Sequence, residues 1–344
     1  MTAATYNGSR TFNTIETRPA APRPGEVQIA VSYTGLCGTD LHIFHGDMDA
    51  RVSMPAIIGH EMSGVIADLG EGVTGWTVGQ PVTVMPTRSC GSCPACSRGY
   101  GNICHKLDFI GIDSDGSMQS SWNVPADVVV ALPEDLALDE AALIEPTAVA
   151  VHDVRRARLA AGEFVVVIGG GPVGQLIAAV ALKRGARVVL VELDPSRRAL
   201  AKESGINVID PRQQNLLDLV MRETDGAGAD VAFEVSGAAA GVNSAVEVLT
   251  TRGRLVMVAI HPQPKEIDLH RFFWRELEMF GARLYQREDF EEAVRLVATG
   301  SVPAKRLISR IVTLHDVEQG FLALESGGAM KVLVDCGAAA VATP

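Results

Sequence analysis

Basic residues, aromatics and cysteines are all scarce in this chain, and it has no long apolar run. Lys and Arg number 30 against 41 Asp and Glu, for a formal charge of −11. A surface built to neutralise nucleic-acid phosphates carries the opposite sign, so no nucleic-acid partner is expected. No apolar stretch approaches the roughly 18 residues a membrane span requires, so no membrane partner is expected either. The opening residues MTAATYNGSRTF lack the apolar segment of a secretory signal, which predicts a cytoplasmic protein. Only six cysteines occur in 344 residues, too few for a disulfide-built scaffold of this size. At 47% hydrophobic and 21% charged, the chain is not disordered. Its length fits two domains at about 150 residues each, large enough to bury cores without metals or cross-links.

The texture changes midway. The first 150 residues read as short β-type runs broken by Gly and Pro, at Val27–Tyr33, Ser63–Leu69, Pro81–Met85 and Asp127–Ala131. From about Leu159, apolar strands alternate with helical patterns. Strands are predicted at Phe164–Ile168, Arg187–Glu192, Asn207–Ile209, Asp230–Val235, Arg254–Ala259 and about Glu278–Ala282. Helices are predicted from the glycine cluster to Lys183, then at Ser196–Ser204, Leu216–Glu223 and Ala239–Leu249. This alternation predicts βαβ units and a doubly wound parallel sheet, an α/β fold. The tail adds helices at Phe290–Thr299 and Val317–Ser326, with strands at Leu307–Leu314 and Lys331–Cys336.

The few cysteines are not scattered. Four follow the spacing Cys90-x2-Cys93-x2-Cys96-x7-Cys104, inside a loop with little apolar content. Clustered cysteines in a chain without an export signal read as metal ligands, and four thiolates suit a closed tetrahedral zinc. Iron–sulfur runs that begin in this way usually place the next cysteine after three residues, followed by proline. The gap here is seven.

Residues 164–174 read FVVVIGGGPVG, so Gly169-x-Gly171-x-x-Gly174 follows a strand and opens a helix. Gly169 suits the tight turn, Gly171 a close backbone approach to pyrophosphate, and Gly174 helix–strand packing. Pro172 fits the first helical position, and Val173 is expected to meet the pyrophosphate through its backbone. Glu192, 18 residues past Gly174, ends the next strand. There its carboxylate can accept from a ribose 2′-hydroxyl and repel a 2′-phosphate, which favours NAD over NADP. Asp194 is the alternative for that role. Arg197 or Arg198 could stack on adenine or grip a phosphate.

Three further segments carry ligand-type residues: Cys37 in GLCGTDLH, His60 and Glu61 in IIGHEMSG, and Glu145 in ALIEPTAVAVH. Each is weak alone. Together they offer a thiolate, an imidazole and two carboxylates, enough for a catalytic zinc with an open position.

These motifs, in this order, resemble the zinc-containing medium-chain dehydrogenases of the alcohol and polyol dehydrogenase family. Gly59-His60-Glu61-x-x-Gly64-x5-Gly70-x2-Val73 is similar to the family's zinc motif, the lobe at 90–104 to its structural zinc loop, and GGGPVG to its coenzyme turn. The resemblance implies a GroES-like, mostly β catalytic domain from residues 1–153 and 287–344, with a zinc lobe at 88–106. A Rossmann NAD-binding domain would occupy residues 154–286. Two zinc ions per chain are implied, a catalytic one at Cys37, His60, Glu61 and Glu145 and a structural one at the four clustered cysteines. Glu145-Pro146 resembles sorbitol, butanediol and related polyol dehydrogenases. Threonine 3-dehydrogenases and simple alcohol dehydrogenases are the alternatives, and a non-catalytic dinucleotide-binding protein a remote one.

The activity implied is reversible hydride transfer from a secondary alcohol, a polyol or vicinal diol, to NAD. Zinc polarises the hydroxyl, while Thr39 and His42 relay the proton through the nicotinamide ribose to solvent. Asp40 would orient the ligand histidine. Ala259, Ile260 and Arg283 are expected on the coenzyme, with Tyr285 beside Arg283 as a substrate contact. His261-Pro262 departs from the small glycine-rich turn usual there. Cys336 reads as a packing residue. The family also implies a homo-oligomer, a tetramer with a dimer as the alternative.

Overall fold

Val27, Ile29 and Val31 alternate along the strand Glu26–Leu36 (β1) and are fully buried, so one face of this strand forms core. Its partner Glu61–Leu69 (β2) runs antiparallel along one edge. The strand Pro81–Val84 (β3) continues the sheet from β2. Ser121–Pro125 (β4) pairs with the first half of β1, and Val129–Ala131 (β5) pairs with β3. The strand expected over Asp127–Ala131 is shorter than predicted, because Ala126–Val128 tightens into a 3₁₀ turn first. Between β1 and β2 lies the short helix Gly38–Phe44 (α1).

The helix Ile144–Arg156 (α2) leads into the second sheet. This sheet has the strands Phe164–Ile168 (β6), Arg187–Val191 (β7), Asn207–Ile209 (β8), Ala229–Glu234 (β9), Leu249–Met257 (β10) and Glu278–Gly281 (β11). All are parallel, in the order β8-β7-β6-β9-β10-β11. The helices Pro172–Lys183 (α3), Pro195–Glu203 (α4), Leu216–Glu223 (α5) and Ala239–Val248 (α6) cross between successive strands. Val166, Val189, Ala232 and Leu255 are buried in one apolar cluster of this unit. Each large aliphatic side chain fully removed from water contributes roughly 1.5–3 kcal/mol. The β10 strand starts five residues before the predicted Arg254, where Leu249 ends α6 directly into extended chain. The short helix Leu269–Arg275 (α7) was not anticipated.

After the helix Arg287–Ala298 (α8), the chain returns to the first sheet through Ile308–Thr313 (β12), the helix Val317–Glu325 (α9) and Lys331–Asp335 (β13). β13 lies beside the second half of β1 and parallel to β12. An unanticipated hairpin, Thr2–Tyr6 with Phe12–Glu16, precedes them all.

This computed structural model describes residues 1–16 and 18–337. One unit comprises Met1–Glu145, Gln286–Thr299 and the chain from Ala304 onward. The other comprises Pro146–Tyr285 with Gly300–Pro303. The first break falls inside α2, eight residues before the boundary expected after 153, because the buried residues Ala148, Ala150 and Val151 belong to the second unit. Among the described residues, no helix is long and apolar enough to cross a membrane.

Candidate active site

In the first unit, Cys37 leaves β1 as the N-cap of α1. Its sulfur accepts from Thr39 N–H at 3.2 Å, and Asp40 Oδ2 accepts from Cys37 N–H at 3.0 Å. This reciprocal cap explains the GLCGTD sequence: a small hydrogen-bonding residue begins the helix and an acid three residues later closes it. His60 and Glu61 enter at the start of β2, and His60 Nε2 lies 3.1 Å from Cys37 Sγ. Ligand atoms of Cys37, His60 and Glu61 all fall within 4.8 Å of one another.

Asp40, His60 and Glu61 are buried. Asp40 Oδ2 holds the cysteine backbone, while Asp40 Oδ1 lies 3.5 Å from His60 Nδ1 with no hydrogen bond between them. Burial pushes the Cys37 thiol and the Asp40 carboxyl up. Burial would push His60 down, but Cys37 and then Asp40 hold it well above the ordinary imidazole value. A thiol, an imidazole and a carboxylate converging in a largely buried cluster fit zinc well.

The expected fourth ligand is placed differently. Glu145, at the start of α2, is buried and near enough to act electrostatically on His60 and Lys331. It is not among the three residues whose ligand atoms converge. One charged residue at this site was not anticipated. Lys331 at the head of β13 is buried, forms an ion pair with Glu61 and donates to Leu36 O at 3.1 Å. Its signal was a lone cation opening the apolar run KVLV. Thr39 and His42 both lie on α1. His42 is exposed, with Nδ1 held by Asp47 Oδ2 at 2.9 Å.

In the lobe, the sulfurs of Cys90, Cys93, Cys96 and Cys104 converge within 4.8 Å, all as free cysteines. Backbone N–H groups turn toward them, from Cys90 and Lys106 to Cys104 and from His105 to Cys93. Hydrogen bonds, first from Ser92 N–H, pull the Cys90 thiol down to about 6, while burial first and Cys93 next push Cys96 up to about 11. The local apolar cluster is Cys93, Cys104 and Ala95 with Cys96 and Leu107 packed against it. With so small a core, the four converging sulfurs fit a closed tetrahedral metal.

In the second unit, Gly169 turns the chain after β6 at φ +106°, and a Cβ on Gly174 would fall 1.9 Å from Gly169 O. Both positions therefore require glycine. Gly171 caps α3 and Pro172 opens it, with Val173 half-buried behind. Around Gly171 there is open space, bounded at 4.0 Å from a Cβ position by the Arg197 guanidinium. An open glycine turn at a helix N-terminus fits an anionic pyrophosphate.

Glu192 follows β7 and accepts from Gly170 N–H and Asp194 N–H, both at 2.7 Å. Asp194 caps α4 by accepting from Arg197 N–H at 2.9 Å. Arg198 turns Nη1 to the Glu192 and Leu193 carbonyls and to Asp210. Ala259 N–H bonds to Glu234 O, and Ile260 is 72% exposed. Arg283 is exposed, but Tyr285 is fully buried and is not presented as a substrate contact. Cys336 is buried against Thr34 and Ser117, as a packing residue should be.

Residues 23–134 match the alcohol dehydrogenase GroES-like domain and residues 172–299 the zinc-binding dehydrogenase family. A 2-dehydro-3-deoxy-L-galactonate 5-dehydrogenase of Pseudoalteromonas atlantica is 48% identical over 98% of this chain and 99% of its own. A sorbitol dehydrogenase of Halalkalibacterium halodurans is 35% identical, covering 96% and 97%. The crystal structure of 2R,3R-butanediol dehydrogenase from Bacillus subtilis superposes with a TM-score of 0.89 at 30% identity, covering 97% and 99%. The chain belongs to the zinc-containing medium-chain alcohol dehydrogenase family, in its polyol dehydrogenase subgroup.

Proposed function

We propose that this enzyme oxidises a secondary hydroxyl of a polyhydroxylated substrate, reversibly, with NAD as the hydride acceptor. The observation that carries the reading is the convergence of Cys37 Sγ, His60 Nε2 and the Glu61 carboxylate in one buried cluster. Among polyols and vicinal diols, a sugar-acid derivative is favoured, because the 48%-identical relative is named for one.

Cys37, His60 and Glu61 would hold a zinc ion, which would supply Lewis-acid polarisation of a substrate hydroxyl. Asp40, with Oδ1 3.5 Å from Nδ1, would orient the His60 ring for ligation. Glu145 stands beside this set, where it adds negative charge and offers a polyol a polar contact. Thr39 and His42 carry the released proton along α1. Asp47 holds His42 Nδ1, leaving Nε2 as the end that exchanges with water. Cys90, Cys93, Cys96 and Cys104 would hold a second, structural zinc.

For the coenzyme, Gly169, Gly171, Pro172, Val173 and Gly174 form the pyrophosphate turn. Glu192, fixed by Gly170 N–H and Asp194 N–H, would accept from a ribose 2′-hydroxyl and repel a 2′-phosphate; that expectation supports NAD over NADP. Arg197 is the cation for the adenosine side, and Ala259, Ile260 and Arg283 serve the far half. The thiolate ligands suit a reducing, cytoplasmic compartment. A homo-oligomer, tetrameric in this reading, is supported by the exposed edge strand β11.

Metal analysis joined to a substrate panel tests the reading. Two zinc ions per chain and coenzyme reduction with sugar acids or polyols, ahead of threonine and simple alcohols, are expected, with turnover lost in Cys37→Ser. Full turnover in Cys37→Ser would overturn the metal assignment, and preference for threonine or a simple alcohol would overturn the substrate class.

A further inference from the structure

The carboxyl ends of β9 and β10 carry a polar cluster that the chemistry above leaves unused. Glu234, the last residue of β9, is fully buried. Its Oε1 accepts from Ser236 N–H at 2.9 Å, Ser236 Oγ–H at 2.5 Å and Gly237 N–H at 3.1 Å. Its Oε2 lies 3.0 Å from His261 Nε2. The Glu234 carbonyl meanwhile accepts from Val258 N–H and Ala259 N–H. One buried residue thus fastens both loops that leave the sheet here, the turn after β9 into α6 and the segment after β10. The N-terminus of α6 lies over the carboxylate, where its dipole favours negative charge.

His261 closes the cluster. The tautomer that donates from Nε2 to Glu234 leaves Nδ1 as an acceptor, and that buried nitrogen has no hydrogen-bond partner among the described residues. His261 is therefore held from one side only, by Glu234. Ile260, immediately before it, is 72% exposed.

Sheet order says what these loops serve. The chain builds β6, β7 and β8 outward in one direction and then reverses to place β9 on the other side of β6. Dinucleotides lie across the carboxyl ends of strands at such a reversal. The glycine turn and Glu192 occupy the β6–β7 half, which takes the adenosine side. The ends of β9 and β10 consequently face the nicotinamide half.

We infer that His261 is a positioning residue which, through Glu234, sets the loops at 236–238 and 258–261 to receive the nicotinamide half of the coenzyme. The inference rests on the dinucleotide reading above but not on the choice between NAD and NADP.

The test compares whole coenzyme with a fragment lacking nicotinamide. Dissociation constants of NADH, NADPH and ADP-ribose are measured by fluorescence titration and competition on the zinc-loaded protein, for wild type and for His261→Ala, His261→Asn and His261→Gln. In His261→Ala, the Kd of whichever reduced dinucleotide the wild type binds should rise roughly tenfold, the scale of one lost buried hydrogen bond. ADP-ribose should stay within about twofold, since its contacts lie on the other half of the sheet. Gln, long enough to donate to Glu234, should restore most of the affinity, and the shorter Asn should not. That pair keeps the comparison available if the alanine variant fails to fold. A parallel fall in ADP-ribose affinity, no change in either ligand, or equal behaviour of Gln and Asn would overturn the positioning role. A wild type that binds neither NADH nor NADPH would overturn the coenzyme reading itself.

Discussion

Lys331 and Glu61 meet across the strand that separates them. Glu61 is the register partner of Gly35 on one edge of β1, and Leu333, two residues after Lys331, is its partner on the other. A Cβ on Gly35 would lie 2.2 Å from Glu61 Oε2 and 3.3 Å from Lys331 Cε, so the missing side chain is what leaves the pair its space. Burial works against the lysine charge, but Glu61 first and Cys37 next hold its ammonium above the usual value.

Removing that cation should be costly. Lys331→Met leaves the Glu61 charge buried without its partner, a change that typically destabilises by roughly 3–5 kcal/mol. Urea unfolding of metal-stripped protein checks this. A loss below about 1 kcal/mol, the scale of an exposed pair, would mean that Glu61 finds other compensation.

How much of this was legible in the sequence depended on the range of the interaction. The strand Phe164–Ile168 and the helix Leu216–Glu223 stand where periodicity put them, because local apolar spacing decides both. The four-cysteine lobe was readable for the same reason: its ligands lie within fifteen residues. Lys331 was not, since a lysine opening a strand usually ends in water and only the β1–β13 register brings it to Glu61. Glu145 shows the same limit. Its residue type suited a ligand, but its place relative to Cys37 and His60 is a tertiary fact. The Glu234–His261 pair needed the parallel sheet before two distant loops could be joined.

Metal removal should loosen the 88–106 lobe selectively. Its apolar cluster contains little beyond its own cysteines, whereas both sheets have extensive buried cores. Chelation under reducing conditions should therefore open the lobe to proteolysis while far-UV circular dichroism stays nearly native. Resistance to cleavage after complete loss of zinc would show that the lobe is ordered without metal.

The proposed reading gives Glu192 two roles, and its variants should separate them. The carboxylate holds Gly170 N–H and Asp194 N–H, so Glu192→Ala should weaken NADH binding by tenfold or more, combining a relaxed turn with a lost ribose acceptor. Glu192→Gln keeps an oxygen for the turn but removes the charge that repels a 2′-phosphate. NADPH affinity should accordingly rise relative to NADH in Glu192→Gln. Equal effects on both coenzymes, measured by fluorescence titration, would remove Glu192 from coenzyme selection.

The edge of the coenzyme sheet predicts association. Among the described residues β11 pairs only with β10; on its outer side Gly281 O accepts from Arg156 Nε, and the rest of that row has no strand partner. Met279 on this strand is 54% exposed, and α7 just before it exposes Leu269, Phe273 and Trp274 at 70%, 78% and 73%. A large apolar group costs little when left exposed singly, but several together beside an open strand edge mark a contact surface. A second copy pairing β11 with β11 would satisfy the edge and cover the patch through one two-fold interface. Replacing Phe273 and Trp274 by glutamate should leave the thermal transition of the isolated fold within a few degrees. The same change should shift the mass measured by light scattering to a smaller species. An unchanged oligomer in that double variant, or a wild type that is monomeric at micromolar concentration, would show that this edge is not the interface.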